Sequence, residues 1–340
     1  MLGPAPRTNR KANWWSEQSP TEHTLIMSAQ QQPETATNNG GGIDMGAMKK
    51  MLMDTKVDGK KSVWATTLET FGMADGSTQK TDIVVDSVEQ GLELLQAYVT
   101  EQEASNSKPL CWDLVPLEPF RATRDDFLLA FLKWAEKEDE QKMAQVVNVS
   151  KARRRLDAYF QWMSDNRKDL EEPLTVDSVS EAAKLWDIQV TYDEKDRFLW
   201  WIDLGSLDTE GVKKLGSQQH LRYVVFFAHL VMLDKKAREN GAVIIEDLGG
   251  MGFWKMATLV PTDLSAKMDR LTIGILPVKM KAIYVFGAAT WMSLLMAMMK
   301  PFMGKKMRER MILVPKATDM QTFCDDLGLS CQHSQGILRH

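Results

Sequence analysis

The sequence predicts an α/β fold, a mostly parallel sheet with helices, set behind an all-helical N-terminal domain. Three observations lead there. Apolar residues recur at helical spacing between Asp82 and Pro173, and beyond Pro173 the period becomes extended. From Ile188 to Val314 short apolar strands then alternate with helices, the pattern of right-handed βαβ units.

Taken in order, residues 1–80 are rich in Gln, Asn, Thr, Gly and Pro and are expected to form a largely disordered tail, because such a composition buries too little apolar surface to offset chain entropy. Residues 81–175 form the helical domain. Val84, Val88, Leu92, Leu95 and Val99 share one face of a first helix ending near Glu103. Thr123 is placed to cap a second helix, with Asp126 three residues on and Phe127, Leu128, Phe131, Leu132 and Trp134 along it. A third carries Val146, Val149, Leu156, Tyr159, Phe160 and Met163, with Arg153-Arg-Arg155 on another side, and Pro173 closes the region.

Residues 176–328 are the sheet domain and 329–340 a short tail. Strands are expected at Ile188–Tyr192, Phe198–Ile202, Ala242–Glu246, Lys281–Phe286 and Met311–Val314, with an apolar helix over Leu221–Leu233 and further helix running to Leu276. Alternation puts Ala242, Ile244 and Glu246 on one face of their strand. A carboxylate there either meets a polar group of a ligand or pairs with a lysine, since a buried unpaired charge is costly.

After the fourth strand comes Trp291-Met-Ser-Leu-Leu-Met-Ala-Met-Met299, apolar almost all round, and then the basic run Lys300 to Arg310. The apolar piece is too short to cross a bilayer, which needs ~20 residues. Methionine repacks readily around irregular partners. Such a helix is either a movable cover over an apolar ligand or a buried core helix with a solvated basic end.

Composition narrows the function. The 340 residues are 44% hydrophobic and 26% charged, with a net charge of −4, so no general affinity for nucleic acid is expected. Three cysteines, Cys111, Cys324 and Cys331, have no metal or disulfide spacing and suit a reducing compartment. No secretory signal and no membrane span is visible, so a cytoplasmic location is expected. Enzyme signatures fail. Gly250-Met-Gly252 follows a strand, but Lys255 stands where a dinucleotide site needs a small residue. Gly304-Lys305 lacks the leading glycine of a phosphate loop, and there is no G-x-S-x-G elbow and no H-E-x-x-H. His229, inside an apolar helix, reads as a structural histidine. No catalytic residue, no metal site and no cofactor is expected.

Gly241-Ala-Val-Ile-Ile-Glu-Asp-Leu-Gly-Gly250, Pro261, Leu276-Pro-Val-Lys-Met-Lys281, Lys300-Pro-Phe302, Lys306 and Arg308-Glu-Arg310 resemble, in order and spacing, the CRAL-TRIO lipid-binding family. Asp126-Phe-Leu-Leu-Ala-Phe-Leu132 is similar to that family's preceding helical domain. The resemblance implies a mixed sheet enclosing an apolar pocket under a mobile gate helix. It places the gate at Trp291, Leu294, Leu295, Met298, Met299 and Phe302, and the pocket at Phe226, Phe227, Ile244, Glu246, Leu271, Met280, Ile283 and Met292. Similarity to the tocopherol-transfer branch implies a phosphoinositide head-group site, and the matching positions carry Lys279, Lys281, Lys306 and Arg310. The chain departs from the family's pattern at Gly287 and Ala289 after the strand, at Val278 after the matched proline, at Ala130, and in the segment Leu329 to Gln335. The implied function is non-enzymatic binding and intermembrane transfer of a small hydrophobic lipid by a monomer that docks transiently on anionic membranes. The alternative is a scaffold or signalling protein of the same fold that transfers no lipid.

Overall fold

The computed structural model describes residues 82–105, 110–139, 144–288, 290–299, 305–315, 318 and 320–327, together with a two-residue antiparallel ladder between Lys56–Val57 and Lys60–Lys61. The rest of the expected tail (residues 1–80), Ala289, Lys300, Phe302, the segment from Gly328 onward and the side chains of Met298 and Met299 lie outside the described residues.

The N-terminal region is built on α1 (Val88–Ser105), α2 (Arg124–Ala135) and α3 (Val149–Asp165). The expected cap at Thr123 is present as a full capping box. Its hydroxyl accepts from the Asp126 backbone N–H, and the Asp126 carboxylate accepts from the Thr123 N–H at 3.0 Å. Phe127, Phe131, Tyr159 and Phe160 pack edge-on at the centre of this region.

The all-helical expectation is corrected by a small antiparallel sheet of β1 (Val84–Val85), β2 (Glu136–Asp139) and β3 (Ala144–Asn148), in the order β1-β3-β2. Val84 and Val146, assigned to helices by spacing, lie in its strands. Val146 and Val147 are β-branched and buried, which suits a pleated surface, and Asn148 then caps α3 by accepting from the Lys151 N–H at 2.8 Å.

After α4 (Val176–Trp186) comes a five-stranded sheet of β4 (Gln189–Tyr192), β5 (Phe198–Asp203), β6 (Ala242–Asp247), β7 (Met280–Phe286) and β8 (Met311–Leu313). Its order is β8-β7-β6-β5-β4, parallel throughout except for the β4–β5 hairpin. The connections are α5 (Ser217–Leu233) with α6 (Lys235–Asn240), then α7 (Thr262–Asp269) continued by π-helical turns at Arg270–Ile275, then α8 (Thr290–Met299) with α9 (Lys305–Arg310). Because each crossover steps to the next strand in the same direction, crossovers of one hand put all their helices on one face. The opposite face carries Leu199, Trp201, Val243, Ile245 and Ala282, and is covered by Phe323 and Cys324 of α10 (Met320–Asp326).

Strand alternation breaks once, and this matters for the site. Met280 and Ile283 are three residues apart, which in a regular strand puts them on opposite faces. The register with β6 shifts between Ala242 and Val243, so Met280 pairs with Ala242 and Ile283 with Ile244. The shift returns both side chains to one face and leaves Lys281 exposed between them.

An enclosed apolar cavity with two charged ends

Beneath the helix-covered face lies a cavity of about 500 Å³. Its floor is Trp200 and Ile202 of β5, Ile244 and Glu246 of β6, and Met280 and Ile283 of β7. Tyr223, Val224, Phe227 and Val231 of α5 form one wall, and Met268, Asp269, Thr272 and Ile273 of α7 and its π-turns form another. Met307, Arg310 and Met311 close it from the side of α9, and Trp134 and Arg155 enter from the helical region. The size and the mostly apolar walls with few polar groups are those of a small-molecule site.

Of the pocket residues expected from the sequence, Phe227, Ile244, Glu246, Met280 and Ile283 stand on the wall. Phe226, Leu271 and Met292 do not, and that expectation is corrected. Phe226 turns to Phe120, with ring centroids 4.8 Å apart, and Leu271 is fully buried in the core shared with the N-terminal helices. Both sit on helices whose residues point round the full circle, so neighbours of a lining residue face away from the cavity. Met292 packs with Trp291, Leu295 and Met296 against Leu248, Met251, Phe253 and Val285.

The described gate residues Trp291, Leu294 and Leu295 therefore flank the cavity, and none is on its wall. Trp291 is anchored by donating its indole N–H to the Met251 carbonyl at 3.2 Å. Trp291, Met292, Leu295 and Met296 are buried, while Ser293 and Ala297 are exposed. At Gly287, φ is +61°, and a Cβ would lie 2.8 Å from the Asp247 carboxylate. Glycine between β7 and the gate thus serves a tight left-handed turn.

Glu246 faces the cavity, enclosed by protein on every side though its surface is reachable from the cavity. Burial, and then the like charge of Asp269, raise its pKa from 4.5 to about 7. It accepts no hydrogen bond among the described residues.

The four expected head-group residues divide. Lys281 and Lys306 are exposed. Lys279 is partly buried, reaches Glu136 at 3.5 Å, and has its pKa lowered by burial. Arg310 turns onto the cavity wall. Sequence reasoning missed their neighbours from the helical region. Lys151 is pulled down to about 8 by burial and then by Lys306, Arg155, Lys279 and Lys137, so these cations converge around it. The Arg153-Arg-Arg155 run was visible, but only the packing of α3 turns Arg155 inward.

His229 is satisfied structurally. Its Nδ1–H donates to the Val225 carbonyl at 2.7 Å and Nε2 accepts from the Tyr159 hydroxyl at 2.6 Å, while burial lowers its pKa to about 4. Among the described residues no group of three or more His, Cys, Asp or Glu side chains is arranged to hold a metal ion, and no helix is long and apolar enough to cross a membrane.

A mixed, mostly parallel sheet with its helices over one face and a cavity beneath them is the architecture of a carrier of small apolar molecules. Residues 188–329, which take in the whole five-stranded sheet, match the family model for the CRAL/TRIO domain, and the fold agrees with that family's. Among solved structures, that of Sfh5 is similar at a TM-score of 0.43 and 15% identity, over 72% of this chain and 84% of that one, a likeness too slight to argue from. No curated protein matches the chain.

Proposed function

We propose that the protein is a non-enzymatic carrier that sequesters one small hydrophobic lipid and exchanges it at membranes. The observation that carries this reading is the apolar cavity of about 500 Å³ under the sheet, flanked by a Met-rich helix. The CRAL/TRIO match over the same residues supports it. Moving a lipid tail from water into such a cavity gains ~25 cal/mol per Å², so a tail that hides ~300 Å² gains about 7 kcal/mol before the costs of ordering.

Docking uses exposed lysines near the end of the gate, Lys281 and Lys306, against anionic phosphoinositide head groups. Lysine acts there as a point-charge phosphate binder. The protein works as a monomer from the cytoplasm and visits the membrane transiently. The direct test is to express the full chain, extract it with organic solvent and identify co-purifying lipid by mass spectrometry. One lipid class at near-stoichiometric yield is expected. Recovery of none, with radiolabelled lipid also failing to bind, would leave the scaffold reading in its place.

A further inference from the structure

Two helices present matched cation pairs to one corner of the cavity. On α3, Lys151 and Arg155 are one turn apart, and on α9, Lys306 and Arg310 are one turn apart. Arg155 and Arg310 both stand on the cavity wall. Lys306 is the first of the cations acting on Lys151, so the two helices face each other across this corner.

The inner pair lacks a counter-charge. Arg155 is deeply buried. It donates to the Leu276 carbonyl at 2.7 Å and lies 4.2 Å from the centre of the Trp134 ring, and its Nε–H has no acceptor. Among the described residues no carboxylate pairs with Arg155, and Arg310 makes neither an ion pair nor a hydrogen bond. Carbonyls satisfy donors without neutralising charge, and an unpaired buried cation is costly. Glu246 and Asp269 do not supply the missing charge. Glu246 responds to Asp269 and to no cation, so the acidic end of the cavity is separate from this corner. Nearby, Glu136 is already shared between Lys133 and Lys279.

We propose that the corner between α3 and α9 binds the anionic oxyanion headgroup of the cavity's lipid, with Arg155 and Arg310 as the contacting groups. Guanidinium forks match the planar oxygens of a carboxylate or phosphate, and both act from a low-dielectric wall where such bonds are strong. The inference rests on the carrier reading and names the class of cargo. It also makes the helical region, which lies outside residues 188–329, part of the ligand site. Because α9 follows the gate, a bound headgroup would tie the gate's far end to α3.

The test uses the full chain and the fluorescence of the wall tryptophans. Oleate, oleoyl lysophosphatidate and oleyl alcohol are titrated in parallel, alongside inorganic phosphate. At least one of the two anionic lipids is expected to bind about tenfold or more tightly than the alcohol. Arg310→Gln and Arg155→Met should each cut that preference about tenfold and leave alcohol binding unchanged. Arg310→Gln, on a short surface helix, keeps the test alive if Arg155→Met does not fold. Equal affinity for the alcohol and both anionic lipids, or an equal loss for all three in the variants, would overturn the headgroup site alone. Inorganic phosphate binding as tightly as the lipids would overturn it too, because the corner would then be a free-anion site. No binding of any of the three lipids would instead sink the carrier reading.

Discussion

At the scale of single residues, Glu246 sets the most specific expectation. Its carboxyl ionises at 4.5 when unperturbed and at about 7 in the fold. Below 4.5 it is protonated in both states. Between 4.5 and 7 the unfolded chain ionises and the folded one does not, so the unfolded state binds fewer protons and stability falls as pH rises. Above 7 both are charged and the folded state bears the full penalty. We expect Glu246→Gln to flatten this slope and to stabilise the protein at pH 8, by about 1–3 kcal/mol, relative to its effect at pH 4.5. Denaturant unfolding at the two pH values measures it, and parallel pH profiles for the two proteins would refute it. A second residue expectation concerns Gly241, where φ is +85° and a Cβ would lie 2.3 Å from the Lys279 carbonyl. Gly241→Ala should destabilise by roughly 2 kcal/mol or more, because a left-handed backbone and a steric clash add. Unchanged thermal stability would show that the β6–β7 edge yields. Glu246 was legible from strand alternation alone, whereas Arg155 was not, because nothing in a helical spacing tells which neighbour will approach which face.

At the scale of elements, the Met-rich helix α8 shows what periodicity can and cannot decide. Its composition leaves cover and core equally open. The structure gives it a buried side of Trp291, Met292, Leu295 and Met296 and an exposed side that includes Ser293 and Ala297. Held by one side chain–backbone hydrogen bond and apolar contacts, and entered through a left-handed glycine, it has little besides packing to restrain it. We expect the amides of residues 290–299 to exchange with solvent faster than those of β5 and β6, which lie inside the sheet. Hydrogen exchange read by mass spectrometry decides it. Protection equal to that of the central strands would make the helix plain core. The strands themselves were readable almost to the residue, because continuous apolar runs bounded by helices leave few alternatives. The small β1-β3-β2 sheet was not, because a two-residue strand carries no period and β2 is Glu136-Lys-Glu-Asp139, a run without apolar residues.

At the scale of the whole molecule, a net charge of −4 opposes attachment to an anionic membrane, so docking must come from a local surface. Lys281 and Lys306 are the exposed candidates, and their contribution should fade with salt over a Debye length of about 8 Å at physiological ionic strength. We expect Lys281→Glu with Lys306→Glu to lower binding to phosphoinositide-containing liposomes at least several-fold at low salt, to reduce the salt dependence of what remains, and to leave thermal stability within about 0.5 kcal/mol. Liposome co-sedimentation across a salt series measures all but the last. Binding unaltered by the double charge reversal would remove these lysines from the docking surface.

Order along the chain was enough to settle the strands, the crossovers between them and the face on which Ile244 and Glu246 lie, because hydrophobic period and connection handedness are local rules. Which side chains meet in space was settled only by tertiary packing. The bulge opposite Ala242 brings Met280 and Ile283 together, α3 carries Trp134's neighbour Arg155 into the cavity wall, and α9 turns Arg310 inward while Lys306 stays outside. The physical reason is that a cavity's lining is chosen by contacts between elements far apart in sequence. Neither their register nor their rotation about the helix axis is encoded in any one segment.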